Sequence, residues 1–176
     1  MSLGHVIRKV KLEDRDAILA VLTSAFERDS EALLVENLWA EHAIQFERLA
    51  EVGGVVIGYC AFSRVTCKPA LSGLLLGLGP IAVAPEHQRQ GVGAALIKEG
   101  LKLCRENSAR LIAVLGDPGY YAAFGFEPAS KKRMSWAGFD AGDAFRVITT
   151  DGDDLDGVKP DDIRTIHYHA AFDAVS

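Results

Sequence analysis

The sequence has little cysteine, and none of it in a reactive pattern. Cys60, Cys67 and Cys104 are odd in number and lack C-x-x-C spacing, which excludes a full disulfide framework and the common zinc patterns. Reduced, packed thiols in a cytoplasmic protein are what this usage implies. Long apolar runs are missing as well. Arg8, Lys9 and Lys11 interrupt the N-terminus, so no secretory signal is visible. The longest uncharged run, Pro69 to Pro85, is repeatedly broken by glycine and proline and is too short to span a bilayer. Positive charge is in deficit: 19 Lys and Arg stand against 24 Asp and Glu, a net charge of −5. Nucleic acid and anionic membranes both require clustered positive charge, so neither is expected as a partner. No internal repeat or low-complexity tract is visible.

What is present is globular. The 176 residues are 49% hydrophobic and 24% charged, a length that suits one domain, 1–176, and leaves little room for two independent cores. Val6 to Val10 reads as a strand. Asp14 to Phe26 then places Ala17, Ile18, Val21, Leu22, Ala25 and Phe26 on one helical face. Asp29 or Ser30 caps a second helix carrying Leu33, Leu34, Leu38 and Trp39. Phe46 to Val52 and Val55 to Thr66 read as strands joined at Gly53-Gly54, a hairpin signal. Leu74 to Val83 is an apolar strand stopped at Ala84-Pro85. Gly91 to Glu106 is helical, and Leu111 to Leu115 is a short, fully apolar strand consistent with burial on both faces. A tyrosine-rich turn follows, then weaker strands around Arg133–Trp136, Phe145–Thr149 and Ile163–Tyr168. Asp151 to Asp162, with six aspartates, two glycines and a proline, reads as a solvated loop. The fold class is α/β, with a strand–helix–strand unit at its centre.

The chemistry concentrates where that unit turns. After the strand ending at Val83, Gln88-Arg89-Gln90-Gly91-Val92-Gly93-Ala94 opens a helix. Glycine at 91 and 93 removes the Cβ atoms that would hold an anion away from the backbone. The first amides of a helix lack intrahelical partners, and the macrodipole adds about half a positive charge there. Together they suit a phosphate or pyrophosphate. No Gly-Lys-Ser/Thr follows, so this is not a Walker A loop. The third small residue of a Rossmann fingerprint is replaced by Leu96.

Gln88-x-x-Gly91-x-Gly93-Ala94 after an apolar strand resembles the acetyl-coenzyme A motif of the GNAT superfamily of N-acetyltransferases. Gly116-Asp117-Pro118-x-Tyr120-Tyr121-x-x-Phe124-Gly125-Phe126 resembles that superfamily's aromatic turn. Its Leu-Gly-Asp-Pro-x-Tyr-Tyr form, with Leu78-Gly79-Pro80 upstream, is similar to the bacterial YhbS-like branch of predicted acetyltransferases. The resemblance is specific from about Leu76 to Ala129, looser before it, and vague after Lys131.

The resemblance implies a GNAT-like acyl-CoA N-acyltransferase fold, an α/β (α+β) arrangement. Its central mixed, mostly antiparallel sheet has a splayed strand pair and is flanked by helices. It implies acetyl-coenzyme A as cosubstrate and direct transfer of the acetyl group to a small-molecule or protein amine, with no metal. Ile81, Ala82 and Val83 would hold the pantetheine arm through their backbone. The amides of Arg89, Gln90, Gly91, Val92, Gly93 and Ala94, after Gln88, would hold the pyrophosphate. The family's general acid maps to Tyr121; a tyrosine with a pKa of ~10 is protonated at neutral pH and can return a proton to the departing thiolate. The Val83 amide region would stabilise the oxyanion. Dimerisation is common among relatives, so a homodimer is compatible with the resemblance. The different-class alternative is a non-catalytic acyl-coenzyme A-binding sensor or regulatory module.

Other constellations carry less. Glu27, Glu31, Glu36 and His42 are candidate bases in the early helices. His167 and His169 share a strand face but lack an evident third ligand. Lys131-Lys132-Arg133 reads as a solvated basic cluster. The acidic total nevertheless hides a positive stretch: residues 88–133 hold 8 Lys and Arg against 4 Asp and Glu, coinciding with the expected cofactor segment.

Overall fold

A computed structural model describes residues 4–150 and 162–175. The expected aspartate-rich loop falls outside the described residues except for Asp162. The described chain forms two compact units. The first takes residues up to Phe62, Gly79–Leu103 and the chain from Ala170 on; the second takes Ser63–Leu78 and the described part of Cys104–His169.

In the first unit the strands run in the order β1-β2-β3-β5, with β1 Val6–Lys9, β2 Ile44–Val52, β3 Val55–Arg64 and β5 Leu74–Val83. β1 pairs antiparallel to β2, from Val6↔Glu51 to Lys9↔Arg48. Gly53 and Gly54 join β2 to β3 at φ +56° and +82°, the left-handed pair that a tight hairpin turn demands and glycine supplies. Helices α1 Arg15–Phe26 and α2 Ser30–Ala40 bury Ile18, Val21, Leu22, Ala32 and Val35 against Leu49, Tyr59, Ala61 and Ala82. Burying such an aliphatic side chain contributes about 1.5–3 kcal/mol. The alternate residues of β3 serve helix α3, Val92–Glu106. A Cβ on Gly58 would lie 3.1–3.2 Å from Leu96 and Val92, and one on Gly100 would lie 2.2 Å from the Phe62 ring. Small residues on each element therefore let α3 pack closely on the strand. The terminal 3-10 turn, Ala170–Val175, packs on α2 and brings Phe172 to 3.5 Å from the Cβ position of Gly79.

The second unit continues the strands in the order β5-β6-β9-β7 and adds a three-stranded sheet, β4-β10-β8. Its elements are β4 Thr66–Lys68, β6 Ala109–Leu115, α4 Pro118–Ala122, β7 Glu127–Pro128, β8 Met134–Trp136, β9 Phe145–Thr149 and β10 Arg164–His167. β5 and β6 are parallel, whereas β9 pairs antiparallel to both β6 and β7. The sheet is thus mixed and mostly antiparallel. Two expectations need correcting. The strand begun at Val55 ends at Arg64 rather than Thr66: the Val65 amide donates to the Leu75 carbonyl (3.1 Å), and Thr66–Lys68 leaves to pair with β10. The strand expected from Leu111 starts at Ala109, because Arg110 is buried with partners, donating to the Ser72 hydroxyl (2.9 Å) and carbonyl (3.2 Å).

All three cysteines are free and buried, and burial pushes the Cys104 thiol up to about 12. Among the described residues, no helix is long and apolar enough to cross a membrane.

Candidate functional site

The β5–β6 ladder runs from Leu74↔Ala109 to Leu78↔Val114 and stops there, while β5 itself continues to Val83. Pro80 has no N–H to offer a neighbour. The far end of β5 stays tied to β3, the Ala84 amide donating to the Ile57 carbonyl at 2.8 Å. Ile81 and Val83 are half-buried in this stretch and Ala82 is buried.

A 3-10 turn, Pro85–His87, then leads to Gln88, whose side-chain amide donates to the Val83 carbonyl (3.0 Å). Gln90 likewise donates to the Glu86 carbonyl (2.9 Å). These two bonds fold the loop onto the strand end. Arg89 and Gly91 both take left-handed backbone, at φ +58° and +84°. A Cβ on Gly91 would meet nothing within 4 Å. The bond entering α3 runs from the Ala95 amide to the Gly91 carbonyl (3.0 Å). The helical amides ahead of it have no carbonyl one turn back to receive them. The residues expected to hold a pyrophosphate, Gln88 to Ala94, are therefore one continuous turn with its open amides at a helix start.

In the second unit, β6 ends at Leu115 and Asp117 caps α4, its carboxylate accepting from the Tyr120 amide at 2.7 Å. Pro118 at the first helical position has no amide to satisfy there. The cap presents two tyrosines differently. Tyr120 is 42% exposed and Tyr121 only 7%. Tyr121 packs edge-on against Tyr120 and Phe126, with ring centroids 5.1 and 5.8 Å away. A Cβ on Gly116 would lie 2.4 Å from the Tyr121 ring, so glycine there is what admits the ring. Arg146 donates to the Phe126 carbonyl from Nε and Nη2 (3.2 and 2.9 Å), fixing the far side of the turn.

Sequence reading missed the partner that comes from the C-terminal segment. Tyr168, just after β10, lies so close to β5 that a Cβ on Gly77 would be 2.3 Å from its Cε1. Burial, and then the neighbouring phenol of Tyr121, push the Tyr168 hydroxyl well above its ordinary range. The one signal was Gly77 itself, a residue with no side chain inside an apolar strand.

The candidate bases separate. Burial pushes the Glu31 carboxyl up, but hydrogen bonds from Arg28 and Ser30 outweigh it and hold the group below its usual range. Glu36 and His42 line a cavity of about 430 Å³ with Arg15 and Trp39; Glu27 does not. Glu47, not singled out from sequence, accepts from Trp39 Nε1 (2.9 Å) and the Tyr59 hydroxyl (2.7 Å). Lys132 lies 3.8 Å from Glu127, so the basic run is partly paired. A second cavity, about 460 Å³ and lined among others by Arg133, Trp136, Phe139 and Asp140, lies within the second unit.

A strand that runs on past its parallel ladder, a left-handed glycine turn into the following helix, and a capped aromatic turn after the next strand are the features of the acetyltransferase class with this fold. The chain belongs to the GNAT acetyltransferase family, whose profile matches residues 15–126. It is 35% identical to the uncharacterized N-acetyltransferase YhbS of Escherichia coli K12 over 162 residues, 90% of this chain and 93% of that protein. The crystal structure of E. coli YhbS in complex with CoA superposes with a TM-score of 0.86 at 32% identity, covering 98% of this chain and 94% of that one. A GNAT acetyltransferase from Brucella melitensis in complex with acetyl-CoA gives 0.77 at 33% identity, covering 97% and 99%. Both structural matches extend well beyond Lys131, where the sequence motifs fade.

Proposed function

We propose that this chain transfers an acetyl group from acetyl-coenzyme A to an amine by direct attack in a ternary complex. The observation that carries the reading is the left-handed Gly91 turn into α3, where the first amides of the helix, Gly91 to Ala94, have no carbonyl one turn back, in a chain whose 32% and 33% identical structural relatives hold CoA and acetyl-CoA. In this reading the pyrophosphate accepts from those amides, with the helix dipole of α3 behind them. The backbone of Ile81, Ala82 and Val83 receives the pantetheine arm, and Gln88 keeps the loop and strand end together. The acceptor must lose a proton before it attacks, since an alkylamine with a pKa of ~10.4 is roughly one part in a few thousand neutral at pH 7. The neutral nitrogen adds to the thioester carbonyl carbon, and the Val83 amide stabilises the oxyanion. Collapse breaks the C–S bond, and Tyr121 protonates the leaving thiolate. The proton lost by the acceptor nitrogen restores the phenol through solvent. The products are the N-acetylamine and coenzyme A.

A coloured thiol reagent reads coenzyme A release against little background, because the three cysteines of the chain are buried. Across a panel of small amines and peptides, release dependent on one amine class is expected. Binding of acetyl-coenzyme A with no release on any amine would instead favour a sensor. Tyr121→Phe is expected to cut kcat by about 100-fold with KM for acetyl-coenzyme A nearly unchanged. Unchanged turnover would remove Tyr121 from the general-acid role.

A further inference from the structure

The 3-10 turn Ala170–Val175 lies outside both motifs, yet it comes back to the strand that leads into the first of them. It packs on α2, and it stands the Phe172 ring at 3.5 Å (Cε1) and 4.0 Å (Cζ) from where a Cβ on Gly79 would be. Those are ordinary contact distances, so ring and bare strand are separated by about the width of one methyl group. Gly79 is the first residue of β5 past the ladder that ends at Leu78↔Val114. Its φ of +155° favours glycine, so no side chain fills that space. Leu78 and Pro80 are buried, whereas Gly79 and Phe172 are each half-exposed. The accessible surface where β5 passes the end of the ladder is therefore a glycine backbone faced by a phenyl ring.

We propose that Phe172 is a specificity-determining residue that takes the apolar body of the amine acceptor against β5 at Gly79. This rests on the reading in which the backbone of Ile81, Ala82 and Val83 holds the pantetheine arm and the acyl carbonyl. Coenzyme A then covers β5 from Ile81 on, together with the turn that follows. Of the strand past the ladder only Gly79 and the buried Pro80 are left, and the second substrate is what can lie there. A hydrocarbon or aromatic body gains by leaving water against a phenyl face. A polyamine, charged at intervals along its chain, has no such body to bury. The acceptor class that fits is a primary amine with an apolar or aromatic tail.

Phe172→Ala removes the ring, and Phe172→Leu keeps an apolar wall. In the parent chain, phenethylamine and hexylamine are expected to show a kcat/KM about tenfold above that of ethylamine, a smaller amine of similar basicity. Phe172→Ala is expected to erase that preference. It should raise KM for the two larger amines about tenfold, while ethylamine and the KM for acetyl-coenzyme A stay within about twofold. Phe172→Leu should keep most of the preference for hexylamine. No preference in the parent chain, or an equal loss on all three amines in Phe172→Ala, as a merely structural role would give, would overturn the proposal. So would a loss confined to the KM for acetyl-coenzyme A. Failure of the acetyl-transfer reading shows separately, as no coenzyme A release with any amine. Calorimetric binding of phenethylamine to the coenzyme A complex then decides: a Kd about tenfold weaker in Phe172→Ala is expected, and equal Kd values, or no binding to the parent chain, would overturn the proposal.

Discussion

The two units bear on function in unlike ways. In the first, the candidate groups are backbone amides of the turn from Arg89 to Ala94, where Gly91 sits at φ +84° with nothing within 4 Å of where its Cβ would be. In the second the candidate group is a side chain, Tyr121, and Gly116 beside it, like Gly77 beside Tyr168, is small because the ring fills the space. A glycine can therefore leave room for a ligand or for the protein's own side chain. Only the first kind announces itself in a short motif, since its geometry is completed within a few residues.

The comparison is broken most directly at Gly91. Gly91→Ala places a methyl group in left-handed backbone, a strain of about 1–2 kcal/mol, and points it at space no protein atom occupies. The expected outcome is a KM for acetyl-coenzyme A raised by one to two orders of magnitude while thermal unfolding shifts only a few degrees. If steady-state kinetics gave an unchanged KM, the open space would not be ligand space.

Gly116→Ala tests the other kind. Its Cβ at 2.4 Å from Tyr121 must push the ring aside, and overpacking of this sort costs typically about 1–3 kcal/mol. Here kcat is expected to fall about tenfold and thermal stability to drop, while the KM for acetyl-coenzyme A changes little. The two glycine variants should thus divide cleanly, Gly91 in KM and Gly116 in kcat and stability. A KM effect from Gly116→Ala larger than its kcat effect would erase the distinction.

The same contrast explains what could be read in advance. The Gly53-Gly54 hairpin, the amphipathic helices and the turn from Gln88 to Ala94 are local, and periodicity or glycine placement specifies each. The second sheet was not legible as a sheet. β4 and β8 have three residues each, too few for period-two alternation to stand out, and β10 draws its partners from Thr66–Lys68 and Met134–Trp136, far away in sequence. Arg110 shortened the expected strand because a charge reads as an end, and its partner Ser72 is 38 residues away. Tyr168 was missed for the same reason: nothing near it in sequence indicates Gly77 or Tyr121. Glu47, joined to Trp39 and Tyr59, depends likewise on packing of α2 on β2 and β3.

The smallest expected effect concerns what holds the first unit together away from its turn. Arg8 on β1 reaches both Asp14 oxygens at 2.8 Å and Glu51 at 2.8 Å, clasping the start of α1 to the β1–β2 pair. The hydrogen bonds from Arg8 are the largest influence on Asp14 and outweigh its burial, holding the carboxyl down to about 2 from an ordinary 3.8. A carboxyl whose pKa is lower folded than unfolded stabilises the fold above its unfolded value and loses that contribution as pH falls through the folded value. The clasp should therefore be fully present at pH 5 and fade between about pH 4 and 2. Melting temperature followed across that window is expected to fall less steeply in Asp14→Asn than in the parent chain. At pH 7 the variant should melt a few degrees lower, with KM and kcat unchanged, because the clasp touches neither the open amides nor the tyrosines. Parallel pH profiles for the two proteins would mean that Asp14 gains nothing from Arg8 on folding; a shifted KM would mean that the amide turn depends on more than its own backbone.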